Sequence, residues 1–208
     1  LKNVPKFLEY EGDFSLIVRS PKVSVVGSRD VSTYGILRAV EVVNELVRNN
    51  ATIVSGLAKG VDTIAHKAAI ASGGKTIAVL GTSLDKCSPI GNLELLNEIK
   101  KNHLAISQFK KDSRVFPSNF PQRNKTMALI SDATIIIEAT ENSGTMHQGW
   151  EAIRLNRDLF ILESVIAENK VSWAKEMIRY GATVVTRENY KDIFSNLSSY
   201  SPSLVGSF

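Results

Sequence analysis

An aromatic, two cations and two kinds of amide stand together in Asn119-Phe120-Pro121-Gln122-Arg123-Asn124-Lys125. Phe120 offers a ring for stacking on a base. Arg123 and Lys125 offer charge to phosphates, and the Asn124 amide is able to read a base edge. Aromatics interleaved with cations suit single-stranded nucleic acid, whose bases are free to stack. The same residues also read as packing, with Phe120 and Pro121 stapling the entry to a helix. The segment belongs to a basic stretch in which Lys110, Lys111, Arg114, Arg123 and Lys125 face Asp112 alone, and this stretch carries the whole +4 net charge of the chain. Such a confined excess is what a phosphate-binding surface needs, although a solvated loop has the same composition.

A second set of candidates comes from glycines that end apolar runs. Val23-Ser24-Val25-Val26 meets Gly27-Ser28-Arg29, Thr52-Ile53-Val54-Ser55 meets Gly56, and Thr76-Ile77-Ala78-Val79-Leu80 meets Gly81. Further on, Thr134-Ile135-Ile136-Ile137 leads to Asn142-Ser143-Gly144-Thr145. Glycine turns that open helices expose backbone N–H groups suited to phosphate oxygens. Gly56, Gly81, Ser143, Gly144 and Thr145 are therefore candidate phosphate turns, with Arg29 and Lys59 as adjacent cations.

Other chemistries find less support. The first turn lacks the G-x-G-x-x-G of dinucleotide folds, and the second strand ends Ser55-Gly56 rather than in an acid. No Walker A pattern occurs, and no G-x-S-x-G elbow supports a serine nucleophile. His66, His103, His147 and Cys87 lack metal-ligand spacing, so no metal or other cofactor is expected. Asp62 and Asp85 read as helix caps or turn braces, Cys87 as inert, and Trp150 and Trp173 as core or interface residues.

The elements that must position these residues follow from periodicity. Strands are predicted at 23–26, 52–55, 76–80, 104–107, 134–137, 159–162 and 183–185. Helices are predicted at 33–49, 62–72, 92–102, 122–131, from the Asn142–Thr145 turn to 156, at 170–180 and at 189–197. The first helix should bury Ile36, Leu37, Val40, Val43, Leu46 and Val47, with Ser32 or Thr33 as N-cap. Alternating βα units of this kind imply an α/β fold, an extended Rossmann-like fold whose predominantly parallel sheet is flanked by helices. Residues 1–20 read as a lead-in packed against the sheet, 21–197 as the Rossmann-like domain, and 198–208 as a flexible tail. With 208 residues and 43% hydrophobic composition, one substantial core is expected. The sequence starts at Leu1 without a charged-then-apolar leader, and no run approaches a bilayer span. A single cysteine excludes an internal disulfide framework. The expectation is a cytoplasmic protein with no membrane contact.

Val25-Val26-Gly27-Ser28-Arg29, Val54 through Thr63, Ala78 through Asp85 and Asn119 through Lys125 occur in the order in which the DNA-processing protein A (DprA/Smf) family carries its signatures. Asn142-Ser143-Gly144-Thr145 matches a fifth, and the resemblance covers roughly residues 5–190. It implies a Rossmann-like domain that binds single-stranded DNA, dimerises, and delivers the strand to a RecA-type recombinase during natural transformation. By the family's pattern Gly27, Ser28 and Arg29 meet the strand's backbone at the first turn, while Phe120, Arg123, Asn124 and Lys125 form the opposite side of the pocket. The sequence departs from the family at Ser107-Gln108-Phe109-Lys110 and at Ser88-Pro89, and the flanking helical domains common in that family have no counterpart, the pattern of a divergent or shortened member.

An enzyme reading competes. The fold is similar to that of the lonely-guy nucleoside-monophosphate phosphoribohydrolases, whose P-G-G-x-G-T-x-x-E motif ends in a catalytic glutamate. Ser143-Gly144-Thr145 matches part of that motif, but Gln148 holds the acid's place, with Glu151 one helical turn on. An amide supplies neither a carboxylate base nor charge to an oxocarbenium-like centre. No catalytic residue is therefore assigned, and a mononucleotide-binding protein stands as the other alternative. For the homodimer, Leu159–Leu162 and the helix carrying Trp173, Met177 and Ile178 are the candidate contacts, or else parts of the core.

Overall fold

Strands that are apolar on both faces need cover on both faces, and this chain supplies it with helices. The computed structural model describes residues 4–19, 21–167 and 171–197. The predicted alternation is present: β2 (Lys22–Val26), α1 (Thr33–Arg48), β3 (Thr52–Ser55), α2 (Val61–Ala71), β4 (Thr76–Leu80), α3 (Leu93–Asn102) and β5 (Leu104–Ser107). It continues through α4 (Asn119–Ile130), β6 (Ala133–Ile136), α5 (Thr145–Arg154), β7 (Asp158–Leu162), α6 (Glu163–Ala167), α7 (Ser172–Arg179), β8 (Thr183–Val185) and α8 (Tyr190–Leu197). The short helix α6 was not expected, and α4 starts three residues before the predicted 122. The predicted helix 170–180 begins at a residue outside those described, as does all of the predicted 198–208 tail.

The lead-in does more than pack. Glu9–Gly12 forms β1, which pairs antiparallel with β5 in the register Glu9 to Ser107 and Gly12 to Leu104. Every other pairing is parallel, in one eight-stranded sheet of order β1-β5-β4-β3-β2-β6-β7-β8. The fold is therefore α/β with a predominantly parallel sheet flanked by helices. Successive strands step outward from β2 to β5, then return to the other side of β2 with β6. The crevice outside the carboxyl ends of β2 and β6 is the switch point, where ligands of such sheets bind.

Helix α1 departs from the apolar pattern read off its sequence. Ser32 caps it, its Oγ accepting from Gly35 N at 3.0 Å. The buried face, however, is Gly35, Arg38, Ala39, Val42, Val43 and Leu46, whereas Ile36, Leu37 and Val40 lie exposed. Arg38 meets Glu41 through Nη1 and the Tyr190 ring 5.8 Å from its guanidinium carbon, while its buried Nε and Nη2 have no hydrogen-bond partner among the described residues. An arginine turned inward shifts the helix face and leaves the three apolar side chains outside.

Of the two readings of the candidate dimer contacts, burial favours the core. Leu159–Leu162 lies inside the sheet between β6 and β8, and Trp173 and Met177 are buried in the protomer's own core. Trp173 Nε1 donates to Glu141 O at 3.1 Å. These groups complete the core, and Ile178, half-buried, packs against it. Among the described residues no helix is long and apolar enough to cross a membrane.

Candidate nucleic-acid interface

At the switch point the chain opens a cleft of about 850 Å³. One wall is the turn after β2, with Gly27, Ser28 and Arg29. The other is α4 with the segment before it, presenting Phe116, Phe120, Arg123 and Asn124. Ser143, Gly144 and Thr145 close the end where α5 begins. Residues 120, 123, 124 and 127 of α4 share one helical face, which is why they line the cleft together.

The first turn is held by backbone contacts that need glycine. Ser28 N donates to Glu138 O at 2.8 Å, and Val61 N donates to Ser28 O at 3.1 Å. A β-carbon on Gly27 would stand 2.9 Å from Glu138 O and 2.6 Å from Val61 Cγ2. Gly60 closes the same junction at φ +82, against the Ser28 carbonyl. Arg29 is exposed and its guanidinium carbon lies 5.8 Å from the centroid of the half-buried Phe120 ring. A cation and an aromatic from opposite walls thus meet at the cleft.

Arg123 is placed differently from its sequence reading as a free phosphate ligand. It is 4% exposed, and its Nη1 donates to Gly56 O and, at 2.9 Å, to Val79 O. Its Nε donates to Asn124 Oδ1 at 2.9 Å. Burial holds the guanidinium below its ordinary range, and the Asp62 charge opposes that shift. Asp62, itself buried, accepts from Gly56 N at 3.1 Å and Ala58 N at 3.3 Å, bracing the turn as expected. Burial raises its carboxyl pKa, with Arg123 working the other way. Between these residues Leu57 stands at φ 57, its carbonyl held by Asn92 Nδ2 at 2.9 Å. Positive φ at a non-glycine is an uncommon conformation, kept here by partners on both sides.

Two of the candidate phosphate turns are therefore corrected. Gly56 and Gly81 do not line the cleft. A β-carbon at Gly56 would collide with the Arg123 guanidinium, and one at Gly81 would stand 2.6 Å from the Phe120 ring. They are sockets for the side chains of α4. Lys59 also lies outside the cleft lining, its Nζ paired with Asp30 Oδ1 at 3.1 Å between two exposed side chains. Lys125 is half-buried and turns to a different face of α4 from the cleft-lining residues.

Asn124 spans the cleft: besides accepting from Arg123, its Nδ2 donates to Gly144 O at 3.2 Å. At α5 the Ser143 and Thr145 hydroxyls lie 2.8 Å apart. Gln148, one turn into α5, lines the cleft with both amide atoms buried and without a hydrogen-bond partner among the described residues. Only its position relative to a missing glutamate drew notice in the sequence. Glu151 does not line the cleft, and its carboxylate accepts from Arg154 Nε at 2.9 Å and Nη2 at 2.6 Å. Among the described residues no cluster of His, Cys, Asp or Glu could hold a metal ion.

The profile of the DNA recombination-mediator protein A family matches residues 1–198. The DNA processing protein DprA of Streptococcus pneumoniae is 39% identical over 88% of this chain and 64% of its own length. Its X-ray structure superposes with a TM-score of 0.83 at 37% identity, covering 91% of this chain and 66% of that one. DNA processing protein A from Helicobacter pylori, a protein with a described single-stranded DNA binding mode, superposes with a TM-score of 0.85 at 32% identity. That match covers 97% of this chain and 91% of the other. The chain spans somewhat under two thirds of the length of the pneumococcal relative.

Proposed function

Because the chain belongs to the DNA recombination-mediator protein A family, we propose that its cleft binds single-stranded DNA, without catalysis. The observation that carries this reading is Arg29 set against Phe120 across the cleft, a cation for a phosphate beside a ring for a base. Gly27 and Gly60 let the first turn pack against Val61, Glu138 and the Ser28 and Arg29 carbonyls, which fixes the turn that carries Ser28 and Arg29 at the cleft. The family's further properties enter the same proposal: two copies associate as a homodimer, and the bound strand passes to a RecA-type recombinase. The enzyme reading is disfavoured because Gln148 stands in the acid's place and Glu151 is engaged by Arg154 outside the cleft.

The test is a titration with a labelled oligonucleotide against single-stranded, double-stranded and mononucleotide competitors. Single strands should displace the label, and duplex and mononucleotide should do so far less effectively. Equal competition by duplex would remove single-strand selectivity, and full displacement by a mononucleotide would favour a nucleotide-binding protein. Sedimentation at micromolar protein should give a species of twice the 22.8 kDa chain mass.

A further inference from the structure

Cations sit over aromatic rings beyond the cleft as well as at it. Arg114 lies over the Phe116 ring, 5.4 Å from its centroid, and Lys110 Nζ lies 5.5 Å from the centroid of Phe7. Both rings are exposed, Phe116 at 49% and Phe7 at 38%. Among the described residues none of Lys110, Lys111 and Arg114 enters a salt bridge. Exposed rings beside cations without acidic partners give a surface able to meet both parts of a nucleotide, the base and the phosphate.

The pairs are continuous with the cleft. Phe116, with Val115 and Pro117, belongs to its lining. From Arg114 the backbone closes into a turn, Ser113 N donating to Lys110 O at 3.1 Å. Lys86 Nζ anchors that turn from below, donating to Ser113 O at 2.8 Å. Lys110 then reaches Phe7, which precedes the edge strand β1.

We propose that a strand held in the cleft continues out of it over Phe116, Arg114, Lys110 and Phe7 toward β1. This track adds phosphate and base contacts that the cleft alone does not make. The inference rests on the reading of the cleft as a single-strand site. An acidic protein segment would meet the cations but would leave unexplained why each faces an exposed ring. The nucleic-acid occupant therefore fits better.

The experiment compares binding of oligothymidylates of about 6 and about 20 nucleotides by the whole chain, at several salt concentrations. Wild type should bind the longer strand more tightly. The variant Lys110→Ala/Arg114→Ala should lose about tenfold on the long strand, with a log–log salt slope shallower by about 1.4 for two lost phosphate contacts. It should leave the short strand unchanged. Phe7→Ala should weaken the long strand alone. Equal losses at both lengths, or none at the longer, would overturn the track. Wild-type affinity independent of length would overturn the track and leave the cleft reading standing, whereas no binding at either length would overturn both. Matching melting curves for the variants would show that these exposed substitutions leave the fold intact.

Discussion

The guanidinium of Arg123 fills the space in which a β-carbon on residue 56 would stand, and it clamps the carbonyls of Gly56 and Val79. One side chain of α4 thereby ties together the carboxyl ends of β3 and β4. Burying a cation costs least when its donors are satisfied and a counter-charge, here Asp62, stands near.

Gly56→Ala should therefore dislodge Arg123 and lower stability by about 3 kcal/mol, since it leaves a buried charge with broken hydrogen bonds. Urea denaturation should show a lower midpoint with an unchanged slope. A midpoint equal to wild type would mean that the guanidinium is not seated against this glycine.

Two cations that the sequence treats alike should separate in binding assays. Arg29→Ala removes an exposed cation at the cleft, and it should weaken an oligonucleotide about tenfold and flatten the salt slope by about 0.7. Lys59 is engaged with Asp30 outside the cleft lining, so Lys59→Ala should change affinity by less than about twofold. Equal losses in a fluorescence anisotropy titration would show that the cleft extends to Lys59.

Asn124 links α4 to the start of α5 through its amide nitrogen, which donates to Gly144 O, while its oxygen accepts from Arg123 on the same helix. Asn124→Asp keeps the acceptor and loses the donor to Gly144 O. We expect a loss of about 1 kcal/mol in stability, together with weaker oligonucleotide binding from the added negative charge. Asn124→Ala, which adds no charge, separates the two effects. If the Asp and Ala variants bind like wild type, this tie does not shape the interface.

His66 predicts the acid sensitivity of the fold. It is fully buried, its Nδ1 lies 2.7 Å from Thr76 Oγ1, and burial pushes its pKa down to about 3 from 6.5. Because the unfolded chain takes up this proton first, stability is present above pH 6.5 and is lost progressively as pH falls from there toward 3. Between pH 8 and pH 5 the loss from this group should be about 2 kcal/mol. His66→Gln should remove this group's share of the slope between pH 5 and 7 and leave that of His103, whose pKa burial also lowers. An unchanged slope in pH-dependent denaturation would place the effect elsewhere.

Much of the architecture was legible because it is local. Runs such as Thr76–Leu80 and the 3.6-residue pattern of the helices each reflect one element's own burial, so seven strands and most helices appear where periodicity puts them. The glycine ends of β2, β3 and β4 correctly marked the sheet edge that carries the cleft. β1 escaped notice because Glu9-Tyr10-Glu11-Gly12 is a short, polar edge strand, and only its distant partner β5 makes it a strand at all.

Within the site, the sequence determined which residue types gather at the switch point: Gly27, Ser28, Arg29, Phe120, Asn124 and the Ser143–Thr145 turn all line one cleft. The tertiary structure decided what each does. Arg123 and Lys125 look equivalent in the motif, yet two residues along a helix turn them through about 200°, so one enters the interior and the other does not. Gly56 and Gly81 look like phosphate turns, yet α4 packs Arg123 and Phe120 into the space that their missing side chains leave. Local composition states which groups are available. Which of them face a ligand depends on how α4 is rotated against β3 and β4, and that is fixed by packing between segments far apart in the chain.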